Sequence, residues 1–306
     1  MKRNVKMYKI TNVGTVSGGE AFLLIADGGT ALIDSGFAFS ADDMIKNAER
    51  ELEGRPLDCV LLTHSHYDHA SGIPYCREKW PGLKVYAAAY AKKVFDRSGA
   101  LKTIRDMNDN AASVFGHDSY RVLTDGLYVD VPLTDGDTVN VGNMDFTVIE
   151  TPGHTRDCIS FYCEKEKLIL ASETTGYPLL PDKVVPTYLV GYAMTVDSIR
   201  RLQMLHAEKM LVSHLGVVDR NFIEEFLPKS EIWATKARDM VLDGYDRGLD
   251  TVALMAMFKN EFYNGDIIRL QPEKAFDLNA YYTVTVIIRE YEKKNINGGR
   301  HGGNNN

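Results

Sequence analysis

The segment LLTHSHYDHAS (61–71) constrains this chain more than any other, because it sets three histidines and an aspartate within six residues, directly after an apolar run. Imidazoles and a carboxylate at this density suit a borderline divalent metal such as zinc. Without a metal, the same cluster would gather several costly polar rings in one place. DCVLLTH (58–64) has the length and apolar character of a buried strand. A strand end followed by a tight loop can aim His64 and His66 at one ion. Asp68 and His69, around the bend, can then reach a second ion beside it.

Two later segments repeat the pattern. His154 stands in TPGHT (151–155) behind the apolar DFTVIE, and Pro152-Gly153 makes a sharp turn that can present the next imidazole at a sheet edge. His214 in VSHLG follows MLV and precedes Gly216. Histidines at strand-end turns are where sites are usually built. His117, His206 and His301 lack that context and read as surface residues.

Around these motifs the chain alternates short apolar runs with turn signals. AFLLIAD (21–27) and TALIDSG (30–36) read as a hairpin broken at Gly28-Gly29. Ser40 reads as the cap of a helix over ADDMIKNAEREL, and KVYAA (84–88) as another strand. Strand character returns through DTVNVGN, DFTVIETPGH and CISFYCEKEKLILAS. Thr195 then reads as a cap for VDSIRRLQMLHAE, and KMLVSH (209–214) as a short strand. Two sheets packed together with helices outside, an α+β four-layer αββα sandwich, follow from this order.

The character changes after Gly216. Ser230 reads as the opening of a helix over EIWATKARDMVLDGYD, and Asp250-Thr251 as the start of a second. Pro272 sits where a first helical turn begins. Beyond it, Phe276, Ala280, Val284 and Ile288 keep a spacing of four that favours helix. The expected division is a catalytic domain over 1–217, a helical C-terminal extension over 218–293, and a disordered tail over 294–306.

Composition narrows the class. With 306 residues, 44% of them hydrophobic, the chain can bury a large core without disulfides. A net charge of −7 and no basic run argue against a nucleic-acid partner. No apolar stretch reaches membrane-span length, so no membrane partner is expected. Cys59, Cys76, Cys158 and Cys163 show no C-x-x-C spacing, and few cysteines with no signal peptide fit a reducing compartment. The expected setting is cytoplasmic.

H-x-H-x-D-H after a strand, then TPGHT, then SHLG, in this order across residues 5 to 217, resembles the metallo-β-lactamase superfamily. The resemblance implies that His64, His66 and His154 hold one metal, while Asp68, His69 and His214 hold the other. The family's bridging aspartate follows an apolar strand in a Gly-Asp step. Here LILASETTG (168–176) takes that place, so Glu173 is the counterpart and a departure, able to bridge, to bind one ion, or to loosen the second site. Asp34 in ALIDSG matches a position that supports the metal ligands by hydrogen bonds. His66 is intact, unlike the Glu of the family's iron redox branch, and the long insertion of its nuclease branch is missing.

Two divalent ions, zinc first with iron or manganese as alternatives, would share a water and lower its pKa towards neutrality. Asp68 would orient that water or accept its proton. A helical C-terminal part resembles the thioesterase-like and lactonase-like branches, including hydroxyacylglutathione hydrolases, which implies a small-molecule ester, thioester or lactone substrate. A phosphoester or phosphodiester is the alternative, with Arg156 as a candidate contact. A metal-bound ligand sensor without turnover and an iron-dependent oxygenase are further readings. Tyr177, Tyr188 and Tyr192 are pocket candidates. The tyrosine-rich extension can serve as a homodimer surface or as a substrate lid.

Overall fold

The computed structural model describes residues 8–117, 119–123, 125–179 and 182–299. Its strands are β1 (Tyr8–Asn12), β2 (Phe22–Ala26), β3 (Gly29–Ile33), β4 (Cys59–Leu61), β5 (Lys84–Ala88), β6 (Val131–Leu133), β7 (Thr138–Val141), β8 (Met144–Glu150), β9 (Ile159–Cys163), β10 (Leu168–Leu170), β11 (Tyr177–Leu179), β12 (Lys183–Val185), β13 (Lys209–Val212) and β14 (Gly216–Asp219). The helices are α1 (Ala41–Leu52), α2 (Tyr67–Ala70), α3 (Ile73–Lys79), α4 (Ala89–Phe95), α5 (Ser98–Val114), α6 (Tyr192–Gln203), α7 (Arg220–Asp246), α8 (Thr251–Phe262), α9 (Ile267–Leu270) and α10 (Glu273–Gly299). None of these helices is long and apolar enough to cross a membrane.

The chain forms two compact units. The first takes the described residues through Thr151, then Asp157–Ser172 and Leu205–Ile223. The second takes Pro152–Arg156, Glu173–Met204 and Glu224 onward. The expected single boundary at 217 therefore differs from these units, because the second unit also claims two segments from inside the β-rich half.

In the first unit, one sheet runs β1-β2-β3-β4-β5-β6 and the other β14-β13-β10-β9-β8-β7. β3, β4, β5 and β6 are mutually parallel, with Ile33 opposite Leu61 and Leu61 opposite Tyr86. Alternation along each strand sorts its side chains into two cores. Ala31, Ile33, Cys59 and Leu61 meet Phe146, Phe161 and Leu170 of the other sheet. Leu32, Val60 and Leu62 point the opposite way, onto Met44, Ile45, Ala48 and Leu52 of α1 and onto Ile73 and Cys76 of α3. Full burial of each large apolar side chain here contributes about 1.5–3 kcal/mol.

The second unit holds the β11–β12 hairpin and helices packed on their own core, in which Tyr188, Ala234, Ala237, Val241, Phe258, Phe276 and Val284 are all buried. Asp250 caps α8, its Oδ1 accepting from the Ala253 N–H at 2.9 Å. Phe276, Ala280 and Val284 lie on the buried face of α10 and Ile288 is partly covered, as their spacing predicts.

Several local expectations need correction. Ser40 stands before α1 without capping it, its hydroxyl donating to the Phe37 carbonyl instead. α6 begins at Tyr192, three residues before Thr195, whose Oγ1 donates back to the Gly191 carbonyl at 2.8 Å. α7 starts at Arg220 and runs through Pro228, so Ser230 is a mid-helix residue donating to the Phe226 carbonyl. α10 reaches Gly299, well into the segment expected as a disordered tail, while residues 300–306 of that tail lie outside the described residues.

Candidate metal centre

Five of the seven expected ligands stand on the first unit, at the carboxyl ends of its strands. β4 stops at Leu61, and the chain turns through Thr63 and His64 while the Ile159 N–H holds the Thr63 carbonyl at 3.0 Å. His66 takes the extended cap position of the one-turn helix α2, and its carbonyl accepts from the amides of His69 and Ala70. That single turn places Asp68 and His69 beside His64. Tyr67, between the ligands, packs its ring on Phe37 at 5.7 Å, and Phe37 stacks on Phe39 at 4.8 Å, which fixes the bend from outside.

The rings converge. His64 lies 4.8 Å from His66 and 4.2 Å from His69 between centroids, and His69 lies 5.1 Å from His214. His64 and His66 offer ligand atoms within 4.8 Å of each other, as do Asp68, His69 and His214 among themselves. His214 follows β13 in a left-handed conformation, φ 63°, that turns its ring back towards His69.

Hydrogen bonds on the far side of three of these rings, His64, His69 and His214, set their tautomers. Asp34, just past the end of β3 and 4% exposed, accepts from the Thr63 N–H at 2.8 Å, from Thr63 Oγ1 at 2.9 Å and from His69 Nδ1 at 2.8 Å. Thr63 Oγ1 gives its proton to Asp34, so its oxygen accepts from His64 Nδ1 at 3.1 Å. One carboxylate thus orients two rings, the supporting role that the resemblance implies for Asp34. Glu20 accepts from His214 Nδ1 at 2.6 Å. Each of these contacts puts the ring's lone pair on Nε2, the form in which histidine binds a metal. Asp157, buried, accepts the Ser65 N–H at 2.7 Å and steadies the loop between His64 and His66.

The other two expected ligands stand on the second unit and meet each other there. Gly153, at φ 149°, sits tightly against Thr195, and the turn sends His154 Nδ1 to the Thr187 carbonyl at 2.6 Å. A carbonyl only accepts, so Nδ1 carries the proton and Nε2 the lone pair. Nε2 lies 2.9 Å from Glu173 Oε2. Two acceptors that close need a proton or a metal cation between them, so this pair fits a metal by its donor chemistry.

Glu20, Thr63, Asp157 and Thr187 were not legible as site residues. Glu20 and His214 are 194 residues apart, and Ser65 and Asp157 are 92 apart, so no local pattern marks Glu20 or Asp157, while Thr63 adjoins His64 but gains its role only through Asp34, 29 residues away. Tyr188 and Tyr192 differ from the pocket expectation, since their hydroxyls engage Ala234 and Thr235 of α7. Tyr177 starts β11 and is partly buried. His117 and His206 are exposed, as expected, while His301 lies outside the described residues.

A family model of the metallo-beta-lactamase superfamily matches residues 14–214, and the chain belongs to that superfamily. Among curated proteins, a hydroxyacylglutathione hydrolase of Xanthomonas oryzae pv. oryzae is 29% identical over 143 residues, covering 47% of this chain and 41% of that protein. Glyoxylase B2 of Dictyostelium discoideum is 32% identical over 111 residues, covering 36% of this chain and 33% of its own length. The chain thus spans less than half the length of these relatives. A metallo-beta-lactamase family protein of Thermus thermophilus shares the fold across 94% of this chain and 95% of its own, with a TM-score of 0.64 at 17% identity. The fold is therefore the α+β sandwich of the superfamily with a helical C-terminal region.

Proposed function

We propose that this chain is a metal-dependent hydrolase acting on a small-molecule thioester, ester or lactone through two divalent ions, zinc foremost. What carries the reading is the uniform orientation of the histidines: Nδ1 of His64, His69, His154 and His214 is committed to Thr63, Asp34, Thr187 and Glu20 respectively. Rings locked in this way have lost rotational freedom before any ion arrives, which favours tight binding. On the first unit, His64 and His66 would offer donors to one ion and Asp68, His69 and His214 to another, while on the second unit His154 and Glu173 offer a donor pair of their own. Bound there, the ions would lower the pKa of a shared water and polarise the scissile oxygen.

The chain's own residues supply the rest. Asp68, partly exposed and 3.5 Å from His69 Nε2, offers a carboxylate that can orient the attacking water and take its proton. Asp34 and Glu20 keep the imidazoles facing inward through the cycle. The four cysteines are all buried, so none serves as a nucleophile. The name hydroxyacylglutathione hydrolase, borne by relatives that match about half of this chain, denotes cleavage of an acyl thioester and supports that substrate class. A homodimer through the helical C-terminal region also belongs to this proposal.

Elemental analysis of the purified protein, followed by thioester, ester, lactone and phosphodiester panels on the same sample, tests the reading. About two equivalents of metal with turnover on a carbon ester class are expected. Turnover confined to phosphodiesters would overturn the substrate class. Metal-free protein with full turnover would overturn the mechanism.

A further inference from the structure

Thr187 touches both metal-side residues of the second unit at once. Its carbonyl accepts from His154 Nδ1 at 2.6 Å, and its hydroxyl donates to the Glu173 carbonyl at 2.6 Å. The next two residues after Tyr188 continue the hold, the amides of Leu189 and Val190 both donating to the Gly153 carbonyl, at 3.0 and 3.1 Å. Residues 187–190 therefore form a strap across the turn that presents His154.

The strap is itself anchored from the C-terminal helices. Tyr188 is fully buried, and its hydroxyl donates to the Ala234 carbonyl of α7 at 3.1 Å. Thr283 of α10, 1% exposed, donates through Oγ1 to the Tyr188 carbonyl at 3.1 Å. Thr283 and Tyr188 are 95 residues apart, and Ala234 and Tyr188 are 46 apart, so two remote helices converge on one residue. A mid-helix threonine ordinarily bonds back to its own helix. Thr283 spends its hydroxyl on the strap.

We infer that Tyr188 and Thr283 are positioning residues for the metal centre: they lock the Thr187 carbonyl in place, and through it the Nδ1 tautomer and direction of His154. The inference rests on the metal reading above, and it gives the helical region a task in ion binding independent of any substrate. Loss of either anchor lets the Thr187 carbonyl drift, and His154 then swings or changes tautomer while the donors of the first unit stay as they were. Partners that orient a metal-bound histidine typically change affinity by about 10–100-fold.

Cobalt(II) titration of the metal-stripped full chain, followed by visible absorption, reads each equivalent separately. Thr283→Val and Tyr188→Phe keep the volume and remove one donor each, while Thr283→Ser restores a hydroxyl. The expected result is that one cobalt equivalent weakens by about tenfold or more in Thr283→Val and Tyr188→Phe, with an altered absorption band, while the other equivalent is unchanged. Thr283→Ser should recover both affinity and band. Metal-free melting curves show which variants fold, and Tyr188→Phe carries the test alone if Thr283→Val does not. Wild-type protein that binds no cobalt would remove the metal reading together with this one. Wild-type protein that binds two equivalents, with folded variants that match it in affinity and spectrum, would overturn the strap alone.

Discussion

Glu20 and His214 meet at 2.6 Å across 194 residues of chain, carboxylate Oε2 against imidazole Nδ1, one just ahead of β2 and the other just past β13. Both are largely buried, with side-chain exposures of 11% and 10%, and Glu20 also accepts the Gly18 N–H. The pair fixes the last histidine of the motif series from the opposite end of the sequence.

Glu20→Gln keeps an acceptor but loses the charge that, on the proposed reading, would make His214 a better metal ligand. It should weaken one metal equivalent by about tenfold, and Glu20→Ala by more. Calorimetric metal titration reads both variants, and equal affinity in wild type and Glu20→Ala would refute the role.

Asp34 offers a second test, because its left-handed backbone, φ 56°, is one that asparagine also tolerates. Asp34→Asn therefore changes charge and donor pattern with little backbone strain. An amide nitrogen facing His69 Nδ1 or the Thr63 hydroxyl sets donor against donor. Urea denaturation of the metal-free protein should show a loss of about 1–3 kcal/mol. Metal affinity should fall in the same variant. Unchanged stability with unchanged affinity would show that the three bonds at Asp34 contribute nothing.

Glu173 is one methylene longer than the family's usual bridging aspartate. Its backbone is held by the Thr187 hydroxyl and by the Gly176 N–H at 2.9 Å, so the carboxylate reaches His154 from a fixed base. Glu173→Asp should fall short of His154 and retain about one metal equivalent after dialysis, where wild type retains about two. Stoichiometry by elemental analysis decides it. Two equivalents at undiminished affinity in Glu173→Asp would show that the extra length is immaterial.

The way these residues were or were not readable follows from distance along the chain. His64, His66, Asp68 and His69 announce themselves because one loop supplies them all. Asp250 was legible as a cap because its partner, the Ala253 N–H, lies three residues on. Ser40, Thr195 and Ser230 misled for a related reason: a hydroxyl beside helical sequence serves equally to cap or to bond back to an earlier carbonyl, as Thr195 and Ser230 do. Pro228 hid the true start of α7, since a proline ordinarily breaks a helix and here the helix continues through it. The two-sheet sandwich was readable from the order of short apolar runs and helical segments along the chain. The division into units was not, because Pro152–Arg156 and Glu173–Met204 join the C-terminal helices through contacts that no sequence spacing records.

Burial pushes the thiols of Cys59 and Cys76 up to about 12 from 9.0, with the Asp58 carboxylate adding to the effect at Cys59. The folded chain keeps these protons while the unfolded chain releases them above pH 9. Stability due to the neutral thiols is therefore intact below pH 9 and lost as pH rises towards 12. Each thiol contributes a slope of about 1.4 kcal/mol per pH unit within that window. Cys76→Ala should flatten the alkaline fall in melting temperature relative to wild type. A native chain whose thiols react promptly with a disulfide reagent at pH 8 would contradict the burial itself.

The parallel pairing of β3 with β4 sets Ile33 against Leu61, and the Asp34 N–H extends that ladder to the Leu61 carbonyl at 3.2 Å. Asp34 and Thr63 are therefore neighbours because two apolar strands end at the same level. A slip of one residue would turn each side chain to the opposite face. The spacing of the candidate donors is then an inherited property of the hydrophobic interior as much as of the donor loop itself. Trimming Leu32 or Val60, neither of which is a ligand, would surface first as a poorer grip on metal and only later as unfolding.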